Sequence, residues 1–210
     1  MTHFTILVVT LALIFVSQRL YEQPLFNYSL TAIPLLQGTG ISSFWFHYSI
    51  QGFASIVIWP FFILFILTQQ SVCAMYCLNW MLLSSAVTML KMGNEAPRPY
   101  WLNPEITPLT CSSSYGSPSG HTLQSFGNLV FVWLCCREQV TNRIASGLFT
   151  VAAWGLPLLM AFTRVIGGVH SLDQVLFGAM LGIYIAWCSF LVYHSSLKDH
   201  FRQIGAMEQT

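Results

Sequence analysis

The sequence predicts an all-α fold, a polytopic membrane helix bundle of about six transmembrane helices, and three observations carry that expectation. Of its 210 residues, 55% are hydrophobic and 15% aromatic, and the mean hydropathy of +0.62 is too high for an ordinary soluble globule. Several apolar runs approach or exceed the ~20 residues that a helix needs to cross the hydrocarbon layer. No stretch shows the alternation of apolar and polar residues expected of a half-buried strand.

The elements follow in order. Residues 4–16 form a short apolar run. The preceding residues lack Lys or Arg, and Ser17-Gln18-Arg19 is a poor cleavage site, so the run reads as a retained span rather than a signal peptide. Residues 20–43 mix Pro24, Pro34, Gly38 and Gly40 with Leu25, Leu30, Ile33 and Leu36 at helical spacing, the pattern of an interfacial helix lying on the membrane. Residues 44–67, 72–90, 144–162 and 169–193 are each long enough to span. Residues 122–136 are shorter and reach membrane length if their helix begins near Ser117. No repeat or linker divides the chain, so residues 1–210 read as one domain ending in a polar tail at 198–210.

Composition also excludes. A net charge of +1 without a basic run argues against nucleic acid as a partner. The six cysteines have no metal-finger spacing and mostly lie in apolar runs as small hydrophobes; Cys111 differs, sitting in a polar loop. His47 reads as a satisfied helix histidine, and His3, His194 and His200 as interfacial residues near the termini. Tyr100 and Trp101 fit either an interfacial belt or the lip of a pocket.

Only 7% of the residues are Asp, Glu, Lys or Arg, yet three cations and two histidines gather in three short stretches. These are Lys91 with Arg98-Pro99, then Pro118-Ser119-Gly120-His121, then Arg164 with His170 and Asp173. Six alternating spans bring the three stretches to one side of the membrane. Cations beside apolar segments need a partner, because desolvating an unpaired charge costs several kcal/mol, and an oxyanion would supply one. Gly93 and Pro97 end one helix and fold the chain back so that Lys91 and Arg98 can reach a single anion. Singly, either could instead snorkel to lipid headgroups.

With Ser117 as N-cap and Pro118 at the first helical position, the N–H groups of Ser119 and Gly120 would be left to bind phosphate, and Gly120 would let the ligand approach the backbone. The plain alternative is a capped helix with an incidental histidine. Near the start of the last span, the Asp173 carboxylate could hold one imidazole nitrogen of His170 and leave the other free to attack. Equally, Ser171 to Gln174 fits a capping box, with Asp173 merely favouring the positive end of the helix.

The set Lys91-x6-Arg98-Pro99, Pro118-Ser119-Gly120-His121 and Thr163-Arg164-x5-His170 resembles the three-part signature of the type 2 phosphatidic acid phosphatase superfamily, which shares its site with vanadium haloperoxidases. The resemblance implies that His170 forms a phosphohistidine and that His121 is the general acid. It implies also that Lys91, Arg98, Ser119, Gly120 and Arg164 hold the phosphoryl oxygens, with no metal and no cofactor. This chain departs from the family pattern in carrying Thr163 where Ser is usual, and Gln174 at the position usually held by Asp. Gln174, with Arg98-Pro99-Tyr100-Trp101, Cys111 and Gly116-Ser117, is similar to the glucose-6-phosphatase branch, which normally has more spans than this length allows.

The expected activity is metal-independent hydrolysis of a lipid phosphomonoester or diphosphate, with a sugar phosphate as the alternative substrate. An inactive protein that binds phospholipid headgroups or transports anions is the reading from another class. Outside the site, Arg137, Arg143, Lys198 and Arg202 crowd one face and Arg19 alone is expected on the other. Both termini are therefore expected in the cytoplasm, and the site on the periplasmic, lumenal or extracellular side.

Overall fold

A computed structural model of the chain describes residues 2–39, 63 and 71–197. Among them the regular elements are helical: α1 (Thr2–Gly38), α2 (Ser71–Asn94), the single turn α3 (Pro99–Leu102), α4 (Gly120–Cys136), α5 (Arg143–Ile166) and α6 (Leu172–Val192). A 3-10 turn at Arg137–Gln139 and a π turn at Tyr193–Leu197 complete the set. Among the described residues, four helical stretches are long and apolar enough to cross a membrane: Phe4–Gly38, Ser71–Leu102, Arg143–Ile166 and Leu172–Ser195. The protein is an integral membrane protein. The span expected at 44–67, with His47 inside it, and the polar tail from 198 lie outside the described residues.

Helix α4 is the axis of the bundle. It has 17 residues, and Leu123, Phe126, Val130 and Phe131 are among those it buries, because α6, α5 and α2 wall it in. Glycines set how closely the walls approach. On α6, a side chain at Gly178 would come within 2.7 Å of the Ser119 carbonyl oxygen, and one at Gly182 would collide with that of Leu123. The small residue at every fourth position lets two backbones touch. On the opposite face Gly127 receives Leu83, and Gly120 faces Val87, both from α2. Asn79 of α2, fully buried, adds hydrogen bonds to the Gly127 carbonyl (3.2 Å) and to Asn128 Oδ1 (3.1 Å). Helix α5 begins at an Asn142 cap whose Oδ1 accepts from the N–H groups of Ile144 and Ala145. It meets α4 through the edge-to-face pair Trp133 and Trp154 and through Trp133 Nε1 donating to Thr150 Oγ1 (3.1 Å).

The N-terminal region corrects the sequence reading. In place of a short span followed by a separate interfacial helix, α1 runs unbroken for 37 residues with Pro24 and Pro34 inside it. At 1.5 Å per residue that is about 55 Å, well beyond the ~30 Å hydrocarbon layer. Pro34 has no N–H for the carbonyl of Leu30, and Asn103 Nδ2 takes that carbonyl instead (2.8 Å), so the kink cost is offset by a tertiary bond. Ser29 and Ile33 are fully buried, which a helix lying loosely on a surface would not permit.

Ser29 Oγ also accepts from Leu172 N (2.9 Å), supplying the first turn of α6 with its cap. The capping box expected from Ser171 and Gln174 does not form: Ser171 makes no side-chain cap bond, and the Gln174 amide is engaged elsewhere. Nor does α4 begin at Ser117. Its N-cap is Ser119, at φ −66° and ψ 110°, so α4 stays at 17 residues.

Candidate active site

Two chain breaks bring the charged residues together. Helix α2 places Lys91 in its last turn and ends at Asn94. Glu95 then adopts φ +47°, the left-handed conformation common just past a helix end, and turns the chain toward Arg98. Helix α5 places Arg164 in its last turn. Beyond it Gly168 sits at φ +68°, where a side chain would also strike Ile106 and Gln37, so glycine is required twice over. The Arg164 carbonyl accepts from the N–H of His170 (3.2 Å), and this tight return sets His170 beside Arg98, just ahead of α6.

Arg98 is 2% exposed, and its guanidinium is fully engaged. Nε donates to the Ser114 carbonyl (2.7 Å), and Nη1 to the Val169 carbonyl (3.0 Å), with His170 Nε2 3.4 Å away. Nη2 donates to Ser112 Oγ (3.2 Å) and Ser114 Oγ (3.0 Å). Lys91 Nζ reaches the same Ser114 Oγ at 3.2 Å. Two cations, one from the end of α2 and one from the loop after it, therefore converge on one oxygen atom. Arg164, also buried, is close enough to act electrostatically on Lys91 and on His170.

His170, 1% exposed, has a defined tautomer. Gln174 Nε2 donates to the Pro97 carbonyl (2.7 Å), an acceptor only, which turns the amide oxygen toward His170 Nδ1 at 3.1 Å. Nδ1 must then carry the hydrogen, leaving the lone pair on Nε2, the nitrogen that faces Arg98. Burial, together with the positive charges of Arg164, Arg98 and Lys91, lowers the pKa of His170 well below the usual histidine value. The imidazole stays neutral, and so nucleophilic, through and below the ordinary histidine range. Gly116 completes the support, because a side chain there would approach the Gln174 amide to 2.5 Å.

Other expected site residues stand differently. The Nδ1 partner of His170 is Gln174, so the orienting role first offered to Asp173 is corrected: helix α6 begins after His170, and residue 174 lies across from the ring. Asp173 occupies the first turn of α6, the positive end of that helix. Ser119 is buried, but its N–H is not left for an anion; it donates to the Gln174 carbonyl (2.9 Å), while Ser119 Oγ pairs with Thr122 Oγ1 (3.0 Å). At Gly120 the missing side chain leaves room for Val87 of α2. His121 lies in the first turn of α4, partly buried, and its carbonyl accepts from Ser125 Oγ (2.7 Å).

Sequence reasoning missed Ser112 and Ser114, and named Tyr100 only as an interfacial aromatic or the lip of a pocket. The Tyr100 hydroxyl donates to the Ser112 carbonyl and accepts from the Ser112 N–H, both at 2.9 Å, so this aromatic anchors a loop rather than lining a membrane belt. The run Ser112-Ser113-Ser114 beside Cys111 was the available signal.

If Gln174 fixes the His170 tautomer, Gln174→Ala is expected to lower any activity that depends on His170 about 10-fold or more, the scale of an outer-shell partner, whereas Asp173→Asn costs less. Nitrogen-15 NMR of labelled histidine should show the Nδ1–H tautomer in the wild type and a tautomer mixture in Gln174→Ala. An unchanged spectrum in that variant would remove the positioning role.

Comparisons with known proteins bear on the fold and the family. A search of curated proteins finds no sequence match. By structure, the chain is similar to a crystal structure of a transmembrane PAP2 type phosphatidylglycerolphosphate phosphatase from Bacillus subtilis. The likeness has a TM-score of 0.69 at 18% identity and covers 87% of this chain and 93% of that one, so it speaks to the fold. The family model of the PAP2 superfamily matches residues 71–198, the stretch holding Lys91, Arg98, Arg164 and His170, and the chain therefore belongs to the PAP2 superfamily.

Proposed function

We propose that the protein is a membrane phosphatase that hydrolyses a phosphorylated lipid through a phosphohistidine on His170. The observation that carries the reading is the convergence of Lys91 Nζ and Arg98 Nη2 on one oxygen, beside an imidazole whose unprotonated nitrogen is Nε2. A phosphoryl oxygen at that point would have the same two donors. His170 Nε2 attacks phosphorus, the bond to the leaving oxygen breaks, and His121 gives that oxygen its proton. Water then attacks the phosphohistidine with His121 as base, releasing inorganic phosphate. Lys91, Arg98 and Arg164 offset the charge that the phosphoryl oxygens gain in each transition state. No step draws on a metal or a cofactor.

A lipid is favoured by what adjoins the site. An apolar groove lined by Tyr28, Ile33, Leu36, Phe162, Val165 and Leu172 opens between α1, α5 and α6. Val165 and Leu172 are close in sequence to Arg164 and His170, so a hydrocarbon tail could lie there while its phosphate is held. A sugar phosphate is the second reading, supported by the Gln174 contact with His170, since the glucose-6-phosphatase branch tends to have Gln at this position.

The test is a panel of lipid and sugar phosphates offered to purified protein, with acid-quenched labelling by a substrate carrying radioactive phosphate. Wild type should form an acid-labile phosphoenzyme and His170→Ala none, while His121→Ala lowers turnover at least ~10²-fold, the usual scale for such a group. Vanadate should inhibit and EDTA should not. Labelling that survives in His170→Ala would remove the nucleophile.

We propose further that the site faces the periplasm, lumen or exterior and that both termini are cytoplasmic, because Arg137 and Arg143 lie at the end of the bundle away from the site. Arg19 is mid-helix in α1 and paired with Glu22 at 3.3 Å, so it weighs little against them. Asn103 and Asn142 both make structural bonds, so the exposed Glu105 and Thr141 are better positions for a reporter cysteine. In a Cys111→Ser background, an impermeant thiol reagent should label position 105 from outside and position 141 only after permeabilisation; the reverse pattern would invert the topology.

A further inference from the structure

We infer that Ser112 and Ser114 are internal stand-ins for the phosphoryl group, and that substrate enters by exchanging with them; this rests on the phosphatase reading above. Guanidinium has five N–H donors, and in Arg98 all five are matched: one by the Ser114 carbonyl, one by the Val169 carbonyl, one by His170 Nε2, and two by the hydroxyls of Ser112 and Ser114. Three of those acceptors belong to one short strap. The two hydroxyls lie 3.0 Å apart, bonded to each other, and the Ser114 hydroxyl also accepts from Lys91. Three oxygens clustered on an Arg and a Lys reproduce the donor pattern that a phosphoryl group would present. A phosphate cannot take the two-point grip of Arg98 while the strap holds it.

The strap is built to leave. Residues 113–115 are exposed, whereas Arg98 beneath them is buried. Its ends are fixed by backbone bonds, Leu109 N to the Gly167 carbonyl (2.9 Å) and Gly116 N to the Ala96 carbonyl (2.8 Å), so the segment between can lift while the ends stay. Tyr100 is the latch, holding both backbone groups of Ser112. With the site empty, the strap satisfies buried donors that would otherwise be costly to strand. With the strap in place, only a fraction of the molecules is competent to bind, and apparent affinity falls by that fraction. The hydroxyls are neutral and a phosphoryl group is charged, so substrate wins the exchange.

The experiment uses orthovanadate as the probe and reads binding directly by calorimetry on the full chain. The exposed native thiol of Cys111 reports strap movement through its rate of maleimide labelling, with Cys111→Ser as the control. The double variant Ser112→Ala/Ser114→Ala should bind vanadate about 5-fold or more tighter than wild type, on the reasoning that it removes the competitor. Tyr100→Phe should shift affinity in the same direction and serves if the double variant does not fold. Saturating vanadate should speed labelling of Cys111 in wild type. Vanadate binding that is unchanged or weaker in the variants would overturn the exchange, as would an unaltered labelling rate. Failure of wild type and variants alike to bind vanadate would overturn the phosphatase reading and the exchange together.

Discussion

Direct backbone contact between α4 and α6 is the constraint on which the site depends. Gly178 and Gly182 present no side chain to the Ser119 and Leu123 carbonyls, and the Ser119 N–H bonds the Gln174 carbonyl at 2.9 Å. This contact fixes the height and rotation of α6 against the start of α4. That rotation in turn aims the Gln174 side chain, which spans from Pro97 to His170. A larger residue at either glycine would separate the helices and cost about 1–3 kcal/mol of overpacking. It would also displace the His170 imidazole from the loop that carries Arg98. Packing and chemistry are thus set by the same two glycines.

Electrostatics explains the remainder. Arg98 and Lys91 are answered here by neutral oxygens, from Ser112, Ser114 and Val169, rather than by carboxylates. A carboxylate would neutralise the pair and compete with any phosphate. Neutral oxygens satisfy the donors while leaving the positive potential intact, and burial, reinforced by that potential, keeps His170 unprotonated. Catalytic power of this kind comes from donors placed before substrate arrives. The supporting bonds are consistent with that purpose: Tyr100 to Ser112, the Arg164 carbonyl to His170, and Gly116 leaving room for Gln174.

Much of this was legible in the sequence. Apolar length alone marked α2, α5 and α6, and the scarcity of charge made Lys91, Arg98 and Arg164 conspicuous. What sequence could not supply was tertiary. Pro24 and Pro34 read as breaks, yet α1 continues because Asn103, 73 residues away in the chain, takes the carbonyl that Pro34 leaves free. Asp173 read as the orienting group because carboxylates usually hold histidines. The choice of Gln174 depended on where α6 begins, and Ser29 of α1 helps to set that point. Nor could sequence show that Val87 of α2 packs against Gly120. Ser112 and Ser114 lay in a loop whose course no periodicity predicts.

The central claim is that a phosphoryl group is held by Lys91 and Arg98 in line with His170 Nε2. An experimental structure with bound vanadate tests it most directly, since vanadate adopts the five-coordinate geometry of phosphoryl transfer. The account predicts vanadium bonded to His170 Nε2, with equatorial oxygens on Lys91 Nζ and the Arg98 guanidinium. Vanadate bound away from these groups, or bonded to another side chain, would contradict it.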